Sequence, residues 1–345
     1  MKNSLLIYKA KRRHKNIGDY IQSAAAMQFT GSDVVYIERE HLHVYAGEQV
    51  KLIMNGWFMH FPENWPPSKN ILPLFISFHI NPEKADFMLD QKGVDYLKKN
   101  APIGCRDKGT EKLLLSKGIP SYFSGCLTLT LGMTYKNNPK SENIYFVDPH
   151  FEVSRTALSI FRYFFAIIFN LKTISQISEK IYKSKSIKTL FRTAAFFTAY
   201  SKYFDNKILR EANYLKHMIL ESELGDEENK FKYTRNLLLK YSKARLVVTS
   251  RIHAALPCLG MDTPVIFITN NYLNSPENPI SQGRFDGLLE LLNVIEYSNF
   301  QLSPVHGFNI NEKIKFGDFI VNKKNHIDIV EKLKSTCFSF ISKKL

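Results

Sequence analysis

Seven short apolar runs constrain this 345-residue chain more than any other feature. They are "SLLIYKA" (4–10), "DVVYIER" (33–39), "VKLIM" (50–54), "LPLFISFHI" (72–80), "IYFVDP" (144–149), "ARLVVTS" (244–250) and "TPVIFIT" (263–269). Their branched and aromatic content reads as β-strand. Strands too apolar to have a wet face must be covered on both sides, which selects a parallel sheet layered between helices. Between the first two runs, "GDYIQSAAAMQF" has helical spacing at Ile21, Ala24, Ala25 and Gln28, with Asp19 near its start. Further helices are expected at 227–243, 251–261 and 284–293. The expected class is therefore α/β. A chain of this length exceeds one ordinary core, so the economical architecture is two Rossmann-like lobes, each with its own core, facing a central cleft.

In such sheets ligands bind beyond the carboxyl ends of the strands, so polar residues just after each apolar run are the candidates. Asn16, Gly18 and Asp19 follow the first run, Asn55 and Trp57 the third, and His79 closes the fourth before the turn at Pro82. Arg106 ends "APIGCRD", and Arg251 and His253 end "ARLVVTS". Asn16, Gln22 and Asn55 suit sugar hydroxyls, and Trp57 can offer a ring face to a pyranose or simply pack in a core. Asp107 and Thr110, with Glu111 following, look like a helix cap rather than a site.

"TSRIHAALPCLG" (249–260) combines these signals in one place. A helix start carries unpaired N–H groups and a partial positive charge, which attract carboxylate or phosphate. Thr249 and Ser250 are expected to cap it, Pro257 to fall early enough to cost little, Arg251 to grip an anion as a planar fork, and His253 to move a proton. The competing reading has Arg251 paired with a helix carboxylate and His253 filling a polar gap. Asp19 is either a base for an acceptor hydroxyl or a plain N-cap.

Taken together, "NIGDYIQ", "APIGCRDKGTEKLLLSKGIP" and "VVTSRIHAALPCLGMDTPVIFI" resemble the polysaccharide pyruvyl transferase family. The resemblance implies a GT-B-like fold, similar to that of two-lobed glycosyltransferases. It also implies transfer of the enolpyruvyl carbons of phosphoenolpyruvate to two sugar hydroxyls as a cyclic ketal, on a polysaccharide precursor that is expected to be lipid-linked. It places Ser250, Arg251, Ile252 and His253 at the donor, adds Arg106, and makes phosphoenolpyruvate a substrate with no separate cofactor. Donor charge of about three suits two arginines and a helix terminus, with His253 as imidazolium general acid and Asp19 as base. On this scheme residues 1–142 form the acceptor-side domain, 143–325 the donor-side domain, and 326–345 a C-terminal helix. Gly125 and Cys126 depart from the Gly-Asp pair common in the family, so Cys126 is expected to pack as a small apolar group. The competing functions are a nucleotide-sugar glycosyltransferase and a non-catalytic glycan-binding partner of a membrane assembly.

Net charge is +15, and the basicity is local. Residues 154–210 hold eleven Lys and Arg against Glu179 and Asp205, nine of the fifteen excess charges. An anionic partner is expected. No nucleic-acid-binding motif accompanies the charge, so nucleic acid is not expected. "ALSIFRYFFAIIFNL" is shorter than a membrane span and contains Arg162, which leaves an interfacial helix on an anionic leaflet or a helical hairpin with a solvated basic face. Four cysteines without C-x-x-C pairing, and no apolar segment before the first strand, suit a reducing cytoplasm, with peripheral attachment at the inner face of the plasma membrane in view. No metal site is expected.

Overall fold

The computed structural model describes residues 1–9, 13–31, 33–270, 283–305 and 307–343. Its strands are β1 (Lys2–Ile7), β2 (His14–Asn16), β3 (Val34–Glu38), β4 (Val50–Phe58), β5 (Ile71–Ile80), β6 (Ile103–Cys105) and β7 (Ser121–Phe123), followed by β8 (Ile144–Val147), β9 (Asn213–Leu215), β10 (Met218–Leu220), β11 (Leu246–Thr249), β12 (Val265–Asn270), β13 (Asn293–Ser298) and β14 (Gln301–Val305). The first sheet, in the order β3-β1-β4-β5-β6-β7, is wholly parallel. The second, β14-β13-β12-β11-β8-β9, is parallel except for its antiparallel β13–β14 hairpin. A short antiparallel ribbon pairs β2 with β10 and so ties the chain before the first helix to the second sheet's connections. The chain is thus α/β, consistent with Rossmann-like sheets.

The helices used below are α1 (Ile17–Thr30), α2 (Lys108–Ser116), α3 (Ala157–Tyr182), α4 (Ile187–Tyr200), α5 (Glu227–Lys243), α6 (Ile252–Gly260) and α7 (Ile327–Ser342). Alternation along the strands explains their apolar runs. In β8, Tyr145 and Val147 enter one core while Ile144 and Phe146 enter another. The expectation of one core per lobe is corrected here. A single core takes in β1, β4, β5, α1, α5, α6, β11, β12 and α7, and only the outer face of the second sheet has its own, covered by α3 and α4. Close backbone approach makes this shared core possible: a Cβ on Gly260 would lie 2.0 Å from the carbonyl oxygen of Leu129, and one on Gly132 would lie 2.1 Å from that of Gly260.

Several boundaries differ from expectation. The first strand stops at Ile7, and Ala10 at the end of that run lies outside the described residues, as do Lys344 and Leu345. The third strand runs on to Phe58, so Asn55 and Trp57 sit within β4 rather than after it. No helix occupies 284–293; positive φ at Gly283 and Gly287 turns the chain, Leu289–Leu291 is a single 3₁₀ turn, and β13 begins at Asn293. Pro257 stands at the sixth position of α6, past the first turn, so the His253 carbonyl loses its intrahelical donor. The length argument against a membrane span also fails, because α3 extends 26 residues and is long and apolar enough by that test.

Candidate active site

Five neighbouring strands of the first sheet end at one cavity of about 470 Å³. Arg39 follows β3, Tyr8 follows β1, Trp57 lies near the end of β4, His79 near the end of β5, and Arg106 follows β6. Asn16 and Asp19 join them from the start of α1, and His253, Met218 and Arg284 close the cavity from the other half of the chain. Trp57 and His79 are direct neighbours across β4 and β5, and the Arg106 N–H donates to the Phe78 carbonyl at 2.9 Å. Sheet register therefore sets the spacing of these side chains.

Arg106 is the central feature. Its side chain is fully buried, and none of its three nitrogens has a hydrogen-bond partner. The nearest carboxylate oxygen, Asp107 Oδ2, stands 3.4 Å from Nε. A buried guanidinium left unbonded is costly unless a ligand completes it. Asp107 does cap α2, accepting from the Thr110 N–H and hydroxyl, each at 2.9 Å. It also approaches His79, whose Nδ1 lies 2.7 Å from Asp107 Oδ2 and 2.9 Å from Thr110 Oγ1. Since that hydroxyl donates to Asp107, it accepts from the ring, which puts the imidazole hydrogen on Nδ1. The Nε2 lone pair of His79 is buried without a partner. Burial, then the Arg106 charge, push the His79 pKa down to about 4 against the opposing pull of Asp107.

His253 presents a second unpartnered Nε2. Burial first, then Arg106 and Arg284, hold its pKa well below the usual histidine range. The imidazolium expected from the sequence is therefore not the form this cationic surrounding favours. Gly18 allows the ring its seat, since a Cβ there would lie 3.2 Å from His253 Nδ1. Arg284, pushed down to about 10 by burial and by Arg106, adds another cation with an unpartnered Nε.

Across the cavity, Asp19 is the third residue of α1. Asn16 is the N-cap, accepting from Gly18 N–H at 3.1 Å, so Asp19 is free of that duty. Burial raises its pKa, with Arg39 opposing. Arg39 NH1 lies 4.0 Å from Asp19 Oδ1, while NH2 pairs with Glu40 at 2.8 Å. The same guanidinium lies over the rings of Tyr8 (4.7 Å) and Trp57 (5.1 Å). Glu40 also accepts from the N–H groups of His60 and Phe61, which fixes the loop bearing His60 against Trp57. Trp57 is thus a partly exposed cavity wall rather than a core residue.

The cavity gathers Asn16, Asp19, Trp57, His79, Arg106 and His253 from the expected set. Asn55 and Gln22 are instead bonded internally, with Asn55 Nδ2 donating to the Gln22 carbonyl at 2.9 Å and Gln22 Nε2 reaching Asp19 Oδ1 at 3.4 Å. Gly18 and the buried Ile252 support the site from behind. Thr249 and Ser250 do not cap α6: Arg251 occupies that position, Thr249 Oγ1 accepts from its N–H at 2.9 Å, and Ser250 Oγ accepts from the His150 N–H at 2.8 Å. Arg251 is also turned away, its Nε donating to Asp148 at 2.7 Å. Arg251, in extended backbone ahead of α6, pairs with Asp148, whereas His253, in the first turn of the helix, enters the cavity. The Arg251 charge still adds to the field that depresses Arg284.

Arg39 and Arg284 escaped the sequence reading. Arg39 ends a run already recognised as a strand, so the strand-end rule would have found it. Arg284 lies in the segment taken for a helix and carried no signal. Cys126 is buried, its Sγ 3.2 Å from Thr128 Oγ1. The pair His41 and His43 is exposed, and among the described residues no group of His, Cys, Asp or Glu is placed to hold a metal ion.

A family model described as polysaccharide pyruvyl transferase matches residues 16–272. No curated protein and no solved structure matches the chain.

Proposed function

Because the chain belongs to the polysaccharide pyruvyl transferase family, and is thus a transferase rather than a passive glycan binder, we propose that it moves the enolpyruvyl group of phosphoenolpyruvate onto two hydroxyls of one sugar, forming a cyclic ketal. The observation that carries the reading is the buried, unbonded Arg106 guanidinium in a cavity shared with two unpartnered imidazole nitrogens. Arg106 and Arg284 bind the donor's carboxylate and phosphate, with Arg251 adding to the field. A ligand bearing about three negative charges reverses the potential that keeps His253 neutral, so binding itself draws a proton onto that ring. His253 then protonates the methylene carbon, charge develops at C2, and the first hydroxyl adds. Departure of phosphate lets the second hydroxyl close the ketal, and of the two hydroxyl protons lost one balances the methyl group and the other leaves with phosphate.

Asp19 and His79 are the bases in this scheme. Burial raises the Asp19 carboxyl pKa, which makes it a stronger base than a free carboxylate, and His79 has a lone pair aimed by Asp107 and Thr110. In this scheme the acceptor lies against Trp57 and Asn16, on the side of residues 1–142, from which Arg106 also reaches the donor, while residues 143–325 supply His253 and Arg284, in the manner of GT-B enzymes. The test is incubation with phosphoenolpyruvate and a panel of free and lipid-linked sugars, reading ketal by mass spectrometry and phosphate by release. Ketal with one phosphate per turnover is expected, and it should vanish in His253→Ala. Binding heats at pH 7 in buffers of different ionisation enthalpy should report proton uptake with phosphoenolpyruvate. Phosphate release without sugar modification, or ketal formation undiminished in His253→Ala, would overturn the assignment.

A further inference from the structure

Helix α3 is two different objects joined at Asn170, where the backbone leaves helical geometry (φ −132°). Beyond that kink it belongs to the protein: Thr173, Ile174, Ile177 and Ser178 are buried, and Lys180 Nζ donates to the carbonyls of Arg210, Glu211 and Ala212. Before the kink only one face does: Tyr163 is buried, and Ala166 and Ile167 pack against the second core, while the opposite face is bare. Leu158, Phe161, Phe164, Phe165, Ile168 and Phe169 are exposed, Phe169 by 77%. A run of large apolar side chains left in water on one helix marks a surface that something covers.

We propose that residues 157–169 lie in the plane of an anionic lipid bilayer and dock the protein there. Charge identifies the occupant. No acidic residue occurs between Glu152 and Glu179, whereas Arg155, Arg162 and Lys172 flank the aromatic face. Beside it, a groove of about 460 Å³ between α3, α4 and the β13–β14 hairpin is lined by Arg162 and Lys202 together with Phe165, Phe169 and Phe300. Cations beside aromatic rings suit the boundary between phosphate headgroups and acyl chains, and a second protein chain would need counter-charges instead. Length excludes a span for this segment. Thirteen residues cover about 20 Å against a hydrocarbon layer of about 30 Å, and beyond the kink α3 is held to the second core through Ile174 and Ile177. The inference is independent of the transferred group and would hold for any acceptor anchored at the same surface.

The test is sedimentation of the full chain with vesicles of phosphatidylcholine alone or of equal parts phosphatidylcholine and phosphatidylglycerol. Binding is expected only with the anionic lipid and should be released by salt. Arg162→Gln and Lys202→Gln should each weaken it about fivefold, and Phe165→Asp with Phe169→Asp at least about tenfold. Circular dichroism, the thermal midpoint and turnover of a soluble acceptor should be unchanged, because these side chains touch neither the core nor the cavity. If that pair fails to fold, Leu158→Asp with Ile168→Asp makes the same test. Three results would overturn the proposal: no binding to the anionic vesicles, undiminished binding by the aspartate variants, or light scattering that shows a dimer dissolved by those variants with no vesicle association.

Discussion

The Arg106 guanidinium is fully buried, with Asp107 Oδ2 3.4 Å from its Nε and no hydrogen-bond partner on any of its three nitrogens. Such an arrangement lowers stability unless function retains it. Replacing it by methionine, which fills similar space without charge, should leave the thermal midpoint unchanged or raised by a few degrees, as measured by calorimetry. The same change should weaken phosphoenolpyruvate binding about a hundredfold, since charge-assisted hydrogen bonds contribute about 1.5–3 kcal/mol each. A fall in stability with binding intact would mean that Arg106 is structural. Strand-end position made Arg106 and His79 legible in the sequence. Their partners were not: that Asp107 aims His79 depends on β5 and β6 being neighbours, and that Asp148 turns Arg251 aside depends on β8 pairing with β11.

At the scale of elements, the turn into the β2–β10 ribbon holds another buried histidine against α5. The His217 carbonyl accepts from the Ile17 N–H at 2.9 Å, its Nε2 bonds Tyr241 OH at 2.8 Å, and burial pushes its pKa down to about 3. His79 is pushed down to about 4. Both folded values lie below the unfolded one near 6.5, so the unfolded chain binds protons first on acidification. The stability tied to these rings is complete above pH 6.5 and is lost as pH falls through about 4 for His79 and about 3 for His217. Each ring contributes a slope of about 1.4 kcal/mol per pH unit in that window. Urea unfolding between pH 7 and 4 measures it, and His217→Gln should remove one ring's share. A flat profile would show that these histidines are not held neutral. The helix start at 251–253 was legible as an element, but which residue faced the cavity was not, because helix phase relative to the sheet is set by packing.

For the whole molecule, the shared core predicts one calorimetric unfolding transition rather than two. Helix α7 strengthens that expectation by returning to the first sheet, where Leu333 and Cys337 are buried and Lys51 Nζ donates to the carbonyls of Phe340 and Ile341 at 3.0 and 2.9 Å. Gly260→Ala forces a methyl group onto the Leu129 carbonyl in the layer between the sheets. It should lower stability by about 3 kcal/mol and shift the single transition as a unit. Two separated transitions, or a tolerant Gly260, would contradict the shared core.

The sequence by itself determined the class and the family. Apolar runs without a wet face demand covered parallel strands, and motifs confined to a few contiguous residues keep their meaning before folding. Tertiary structure alone decided that Arg106, His79, Asp19, Arg39, Arg284 and His253 share one cavity while Arg251, Gln22 and Asn55 stay outside it. Those assignments depend on strand order, helix phase and burial, which join residues as far apart as Asp19 and Arg284 and leave no local trace in the chain.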